Sequence, residues 1–300
     1  MKKEMYGYIA VIFAAAMWGI GGAVAKFLFN EAISPYVLVK VRLLLSFFIL
    51  AIILLLYNPK LLYIPRREIG YFARLGILGM AMLQFFYFLT ISLTSVATAV
   101  FLQYLSPILI AVYMSCWEKI QLSDLQKTSV VAAVLGGLLI MLAAGGGQTL
   151  TMAGMISGLA AAGAAAFNTL YMRRGVREYH PVTVLTYSLG FGALFWWLAV
   201  PFAWDADMLT ARHLWMFSYV VFFSTIIPFF LFFLGVRFLS AANVSITSSL
   251  EPVIAAVAAY VALGESMTLL QMLGGLLVTL AVVLLQWETG KSVKPRENIT

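Results

Sequence analysis

The sequence predicts an all-α polytopic membrane protein in which ten transmembrane helices form two inverted five-helix repeats. Three observations support this fold class: an apolar composition, ten apolar runs of membrane-spanning length, and a bias of lysine and arginine toward one side. Hydrophobic residues make up 63% of the 300 residues and charged residues only 10%, against about 25% charged residues in a soluble domain. So few charges cannot cover a soluble surface, and we expect lipid to be part of the solvent.

The apolar runs have the length of about 20 residues that a helix needs to cross a hydrocarbon core about 30 Å thick. We expect the first run to be a permanent span, because Lys2 and Lys3 precede an apolar stretch that is too long for a signal-peptide core. Short connections separate the runs, and none of them could form a soluble domain. The predicted spans are 6–29, 35–57, 70–91, 94–116, 126–145, 151–172, 181–203, 214–236, 241–262 and 267–287.

The positive charges predict how these spans are oriented. With the N-terminus in the cytoplasm, fifteen of the nineteen lysine and arginine residues fall in cytoplasmic segments. This is the positive-inside pattern, so we expect a multi-pass protein of the cell inner (plasma) membrane with both termini cytoplasmic. The net charge of +7 then reflects orientation, and we expect no nucleic-acid partner because no basic tract is present. The four residues left on the other side are Lys26, Lys40, Arg42 and Arg212.

The second half of the chain repeats the first at a shift of 145 residues, with eleven identities over 42 positions. Pro107 and Pro252 are one identical pair, and each proline is followed at the end of its span by an acidic residue, Glu118 or Glu265. Each half contains five spans, an odd number, so the copies are predicted to have opposite orientations, as in carriers that alternate between two access states. The predicted units are a first repeat at 1–147, a second repeat at 148–290 and a cytoplasmic tail at 291–300.

Residues suited to enzymatic or metal chemistry are sparse. His180 and His213 lie at connections without an acidic or cysteine partner at metal-ligand spacing, and a single cysteine, Cys116, cannot form an internal disulfide. The sequence has no Walker loop or other nucleotide signature. We therefore expect no catalytic residues, no metal and no cofactor. A membrane-embedded enzyme would need clustered ionisable residues, and this sequence has a single acid deep in a span. A channel would need a ring of like charges or a filter loop, and the sequence shows neither.

Matching motifs occupy equivalent places in the two halves. They are Tyr104-Leu105-Ser106-Pro107-Ile108 with Glu118 and Gln126, then Ser249-Leu250-Glu251-Pro252-Val253 with Leu263-Gly264-Glu265, Gln271 and Gly274-Gly275. Together with Trp18-Gly19 and Arg42, these motifs resemble the EamA family of the drug/metabolite transporter (DMT) superfamily over essentially the whole chain. Within it, the sequence is most similar to YddG-type aromatic amino acid exporters, from which it departs at Gln84 and Asn168.

The resemblance implies a secondary transporter that exports a small metabolite by alternating access, with amino acids or related compounds as the expected class. A multidrug, nucleoside or other metabolite carrier is an open alternative, and so is a facilitator without proton coupling. The partners implied are a small-molecule substrate, membrane lipid and, as a candidate coupling ion, protons. We expect a monomer.

Charged residues inside a span are retained only with a partner, a wet cavity or a function. Glu251 is the one acidic residue deep within a predicted span. It is a candidate coupling carboxylate, a structural element that satisfies backbone groups freed by Pro252, or a direct substrate contact. Arg42 is a gating candidate that would pair with an acid or attract a substrate carboxylate. Lys26 and Lys40 are expected to extend to the membrane interface.

Neutral polar and aromatic residues are predicted to form a substrate-binding cavity between the repeats. Amides and phenols in the hydrocarbon region usually turn inward. For each residue taken alone, a hydrogen bond between helices is the alternative. Small residues in the sixth span, including Gly158 and Gly163, predict close packing within the fold. The predicted substrate-binding residues are Trp18, Gln84, Tyr87, Tyr104, Asn168 and Ser248.

Overall fold

The computed structural model of the protein describes residues 2–119, 121–143, 152–201, 210–239 and 241–292. Ten helical stretches in these residues are long and apolar enough to cross a membrane, which confirms the predicted all-α polytopic fold. The predicted unit boundary at 147–148 and most of the predicted tail lie outside the described residues. Spans 1 to 10 are Glu4–Asn30, Pro35–Tyr57, Arg66–Leu93, Val96–Cys116, Asp124–Leu142, Met152–Glu178, Pro181–Ala199, Arg212–Phe232, Ile246–Leu263 and Leu269–Glu288.

Spans 3, 4, 8 and 9 are each built from more than one helical segment, whereas the other six spans are continuous α-helices. A π-helix interrupts span 3 at Leu75–Ala81 and span 8 at Phe222–Ile226. The α-helices are α1 (Lys2–Asn30), α2 (Pro35–Tyr57), α3 (Ile69–Arg74), α4 (Met82–Leu93), α5 (Val96–Gln103), α6 (Ser106–Cys116), α7 (Asp124–Ala143), α8 (Met152–Glu178), α9 (Pro181–Ala199), α10 (Ala211–Val221), α11 (Ile227–Phe238), α12 (Ala241–Ser248), α13 (Glu251–Leu263) and α14 (Leu269–Ser292).

Spans 4 and 9 break at equivalent prolines. Pro107 lies in the first turn of α6 and Pro252 in the first turn of α13. Proline has no amide hydrogen, and its ring clashes with the carbonyl of the residue four positions earlier, so the helix before it stops. The two π-helices also fall at equivalent places, because the 145-residue shift lays positions 77–81 on 222–226. The sequence repeat is therefore matched by a repeat of backbone irregularities.

A short non-helical connection separates spans 3 and 4. Ser95 has an extended backbone, and its side-chain oxygen accepts a hydrogen bond from the Thr98 amide, which caps the start of α5. Such an N-cap satisfies one of the amides that the first helical turn leaves unpaired. The predicted break near residues 92–95 is thus confirmed, and spans 3 and 4 are separate crossings.

Close helix packing depends on small residues at several contacts. A Cβ atom added to Gly136 of α7 would lie 2.7 Å from the Gly274 carbonyl oxygen of α14, and the reverse substitution gives the same distance. Gly158 of α8 packs against the Leu102 side chain of α5, as predicted for the sixth span. Gly163 has no neighbour within 4 Å of such a Cβ, so the packing prediction is wrong there.

The spans form two peripheral pairs around a central group of six. Span 5 packs on span 10, and span 2 packs on span 7. In the centre, span 1 packs against spans 8 and 9, while span 6 packs against spans 3 and 4. We call spans 1, 8 and 9 the first packing unit and spans 3, 4 and 6 the second. Each unit draws helices from both halves of the chain.

The two faces of the bundle differ in how the packing units meet. Ten crossings place both chain ends on one face, which we call the terminal face; the opposite one is the distal face. At the distal face, α1 packs against α4 and α5, and α5 packs against α13. Within the described residues, the equivalent pairs on the terminal face, α8 with α11 or α12 and α6 with α12, lack comparable packing. Among the described residues, the packing units therefore meet at the distal face and leave a gap between them toward the terminal face.

Ion pairs at two equivalent places link helices inside each packing unit, and we call these two places the braces. Arg174 at the end of α8 lies 2.9 Å from Glu68, at the start of span 3. Glu31, which follows α1, lies 2.7 Å from His213 and 2.9 Å from Arg212, both at the start of span 8. Glu68 and His213 are equivalent positions at the 145-residue shift. Each brace ties the first span of one repeat to the third span of the other.

Candidate functional site

The broken spans 4 and 9 are joined by Tyr104, which lies between α5 and α6. Its hydroxyl lies 2.7 Å from the Ser248 carbonyl oxygen and 3.1 Å from Glu251 Oε2, so one proton serves two acceptors. Ser248 is four residues before Pro252, and its carbonyl therefore lacks the helical amide donor that it would otherwise bind. Tyr104 supplies that donor across the interface between the packing units. We call Tyr104, Ser248 and Glu251 the central junction.

Glu251 is the first residue of α13 and is partly exposed. The amide end of a helix favours a negative charge, and the Tyr104 hydroxyl is a further donor. The structural alternative for Glu251 is that its carboxyl satisfies backbone groups freed by Pro252. The freed Ser248 carbonyl is bound by the Tyr104 hydroxyl, which also lies against the Glu251 carboxyl. Coupling, structure and substrate contact stay open as roles of this carboxyl.

Arg42 is buried and joins span 2 to the π-helix of span 8. Its Nε donates to Thr225 Oγ1 and its second guanidinium nitrogen to the Ser224 carbonyl oxygen, both at 2.6 Å. The guanidinium also lies over the Phe88 ring, 5.1 Å from its centroid. A π-helix pairs each amide five residues back, which leaves carbonyls available for such a donor. Among the described residues Arg42 has no carboxylate partner, so the predicted pairing with an acid is not observed.

The prediction that Lys40 extends to the membrane interface is wrong, whereas Lys26 is partly exposed near the distal ends of the spans. Lys40 is only 1% exposed, and its ammonium donates to the carbonyls of Val200 and Pro201 at the end of span 7. Lys26 likewise donates to backbone carbonyls, at the end of α4. Carbonyls in the last turn of a helix have no intrahelical donor and favour a cation. Both ammonium groups are therefore bound by carbonyls of the protein.

The remaining predicted residues lie in different surroundings. Gln84 and Tyr87 are 8% and 9% exposed, so both are packed inside the protein. The Gln84 amide lies 3.7 Å from Met80 Sδ of its own helix, and Tyr87 faces α1 at Gly22. Their burial suits contacts between helices better than the predicted direct contact with substrate.

Trp18 and Asn168 are both partly exposed. Trp18 packs against Phe229 and Phe232 of span 8 at ring-centroid distances of 5.3 and 5.6 Å. Asn168 lies against the π-helix of span 3, where a Cβ on Gly79 would be 2.6 Å from its Oδ1. Among the predicted site residues, hydrogen bonds join Tyr104 to Ser248 and to Glu251.

Two cavities open beside span 7 and contain none of the predicted substrate-binding residues. One, of about 510 Å³, lies between spans 2 and 7, and the other, of about 340 Å³, lies beside Ile77 and Phe195. Both are lined mainly by apolar and aromatic side chains, as suits surfaces that face hydrocarbon. The residues that sequence reasoning missed are the partners of Arg42, although a Ser-Thr pair within an apolar run was a visible signal.

Comparison with known proteins identifies the family. The profile described as the EamA-like transporter family matches the chain twice, at residues 5–142 and 152–287. The chain belongs to the EamA-like transporter family. The two matches fit a layout of two repeats, and they confirm the resemblance drawn from the 104–108 and 249–253 motifs. It is a multi-pass membrane protein of a transporter family.

Its relatives come from bacteria and an archaeon. The uncharacterized inner membrane transporter YicL of Salmonella typhimurium is 27% identical, covering 98% of this chain and 99% of its own. An uncharacterized transporter of Archaeoglobus fulgidus is 28% identical over 70% of this chain and 76% of its own length. A solved crystal structure with 15% identity superposes with a TM-score of 0.66, covering 98% of this chain and 99% of the other. That likeness concerns the fold.

Proposed function

We propose that this protein is a secondary transporter of the inner membrane that exports a small metabolite, an amino acid or a related compound, by alternating access. The observation that carries the proposal is the central junction, where two proline-broken spans from opposite halves meet across the packing units. Carriers built from repeats place their substrate sites at discontinuous helices near the membrane midplane. The gap between the packing units on the terminal face supplies a route to that site.

The ends of the half-helices suit a substrate with a carboxylate. The first turns of α6 and α13 both begin at the junction. The amide ends of helices carry partial positive charge and attract anionic groups. Trp18, with Phe229 and Phe232, offers an aromatic wall from the first packing unit. This combination supports an amino acid with an apolar or aromatic side chain.

Trp18, Tyr104, Ser248 and Glu251 are proposed to contact substrate. Gln84, Tyr87 and Asn168 are proposed to act indirectly, by holding spans 3 and 6 in place, because their side chains pack against neighbouring helices. A matched test replaces Trp18 or Gln84 by alanine. Trp18→Ala should weaken binding of an aromatic amino acid more than Gln84→Ala, as measured by ligand-induced thermal shift. Equal losses would contradict this division.

The substrate class is tested by thermal-shift screening of the purified protein, followed by transport in proteoliposomes. A ligand that binds only the folded protein stabilises it by mass action. Amino acids should stabilise the protein, whereas nucleosides and common drugs should not. Stabilisation by a nucleoside or a drug alone would instead favour the corresponding carrier.

Proton coupling is proposed to depend on Glu251. Glu251→Gln should abolish transport driven by a pH gradient yet preserve substrate exchange between equal pools, because exchange requires no net proton movement. Asp124→Asn, at an exposed residue paired with Lys127 in its own helix, serves as the control. Gradient-driven transport by Glu251→Gln at the wild-type rate would leave facilitated diffusion, or coupling elsewhere, as the better description.

The terminal face is proposed to be cytoplasmic, on the basis of the lysine and arginine bias. Alkaline phosphatase fused after Lys60 or Arg174 should be inactive. A fusion after Asp207, which lies outside the described residues, should be active. Activity at the first two sites would reverse the orientation.

A further inference from the structure

A polar tie outside the central junction closes the distal face. Lys26 Nζ of α1 lies 2.9 Å from the Ile91 carbonyl oxygen and 2.5 Å from that of Thr94, at the end of α4. Glu265 follows α13, and its Oε2 accepts a hydrogen bond of 3.0 Å from the amide of Val96, the first residue of α5. The break between α4 and α5 thus has a cation at its carbonyl side and a carboxylate at its amide side. Both placements are favourable for the helix dipoles.

This tie crosses from one packing unit to the other. Lys26 and Glu265 belong to the first unit, whereas α4 and α5 belong to the second. The second carboxylate oxygen of Glu265, Oε1, is buried and has no hydrogen-bond partner among the described residues. A buried acceptor without a partner costs free energy that water would return. The contact is therefore one that can open, because separation of the units would hydrate this oxygen.

The repeat does not place a second copy of this tie on the terminal face. The 145-residue shift lays Lys26 on Tyr171 and Glu265 on Ile120, whereas it lays Glu118 on Leu263. Glu118 follows α6 on the terminal face and is exposed. The distal face therefore carries a charged tie that the repeat does not duplicate.

We propose that Glu265 is the gate carboxylate of the distal face in the transport cycle. Glu265 closes the distal face by capping α5, and the tie breaks when that face opens. The proposal rests on the proposed function, since alternating access requires each face to close while the other is open. Carriers with inverted repeats reach their second state when each half adopts the other's conformation, which would separate Glu265 from α5.

The test measures access to the central junction from each face separately. Ser248→Cys in a Cys116→Ser background is labelled in sealed vesicles with a membrane-impermeant thiol reagent added on one side. Glu265→Ala should raise the labelling rate from the distal face about tenfold, because the closed state loses one charge-assisted hydrogen bond at a helix N-terminus. Glu118→Ala, at an exposed acid of the terminal face, should leave that rate unchanged.

Three further variants keep the test decisive. Asp124→Asn should leave both labelling rates unchanged. Glu265→Gln keeps an oxygen that can accept from the Val96 amide and removes a charge that burial disfavours, so it should leave distal labelling close to the wild-type rate. Glu265→Leu removes the acceptor and replaces Glu265→Ala if that variant does not fold. Unchanged distal labelling in the folded Glu265→Ala or Glu265→Leu variant, or an equal rise for Glu118→Ala, would overturn the proposal.

Labelling requires no transported substrate, so the two proposals fail separately. A rise in distal labelling for Glu265→Ala and none for Glu118→Ala, in a protein that moves none of the screened metabolites, would support the distal gate and contradict the proposed substrate class. Amino acid transport in a protein whose distal labelling does not respond to Glu265→Ala would support the function and overturn the gate.

Discussion

The distal and terminal faces of the bundle share some contacts and differ in others. On the distal face, Lys26 and Glu265 tie the two packing units together across the start of α5. On the terminal face, the acid that follows α6, Glu118, is exposed. The braces at Glu68 and Glu31, which lie inside the packing units, are made on both faces. Contacts within a unit are thus common to both faces, and contacts between units distinguish them.

Under the proposed function, this difference predicts which parts of the molecule would move as bodies. A contact that is made on both faces does not depend on which face is open, whereas a contact made on one face does. Transport would then involve spans 1, 8 and 9 moving against spans 3, 4 and 6, with the central junction near the pivot. The following variants are arranged from the largest expected effect to the smallest.

Tyr104→Phe should have the largest effect, because the central junction lies between the units in either state. The change removes the donor for both the Ser248 carbonyl and Glu251. An unpaired buried carbonyl costs about 1–3 kcal/mol, so the free energy of unfolding should fall by that amount in detergent. Tyr113→Phe, at an exposed tyrosine of α6, is the control. Equal free energies of unfolding for the two variants would show that the central junction does not stabilise the contact between the packing units.

Lys26→Met should open the distal face. The substitution keeps the length of the side chain but removes the donor to Ile91 and Thr94 and the positive charge near Glu265. We expect labelling of Ser248→Cys from the distal face to rise by about tenfold or more, equivalent to about 1.4 kcal/mol. Lys127→Met, at an exposed lysine on the terminal face, should not alter it. If both variants behave alike, the distal tie does not govern access.

The braces should affect stability and not access. Glu68→Gln and Glu31→Gln each weaken a partly exposed ion pair, so each should lower the free energy of unfolding by about 1 kcal/mol or less. Because both braces lie inside a packing unit, neither change should alter labelling of Ser248→Cys from either face. A shift in labelling for one variant would mean that its brace lies at a moving boundary.

The smallest expected effect is a dependence of distal access on pH. Burial raises the pKa of Glu265 above its ordinary value of 4.5, while the Val96 amide and the Lys26 charge act in the opposite direction. With the distal face open, the carboxyl is hydrated and its pKa returns toward the ordinary value. The closed state therefore binds a proton more tightly, so its added stability is complete below about pH 4.5 and is lost as the pH rises through the raised pKa.

We accordingly expect distal labelling to be slower at pH 5 than at pH 7, relative to Glu265→Gln, which has no carboxyl to titrate. That variant also corrects for the pH dependence of the thiol reaction. Faster labelling at pH 5, after this correction, would contradict the sign.

Much of the fold could be predicted because hydropathy and charge are local properties. The apolar runs locate the ten spans, and Pro107 and Pro252 mark the breaks in spans 4 and 9, since a proline inside a helix kinks or breaks it. The prediction of Tyr104, Ser248 and Glu251 as one group depended on the repeat and the family resemblance. Their hydrogen bonds place them together, although 144 residues separate Tyr104 from Ser248 in the chain.

The sequence by itself determined the spans, the repeat and the prolines at which spans 4 and 9 break. The tertiary structure alone decided which partner each polar group has. Lys40 lies on the carbonyls of span 7 and Arg42 on a π-helix because those carbonyls were free and within reach, and no pattern along one helix reveals a free carbonyl on another. For the same reason only the packing shows that Glu265 binds the Val96 amide, whereas Glu118 is exposed. A buried polar group takes the nearest donor or acceptor in space, and that neighbour is set by how the helices meet.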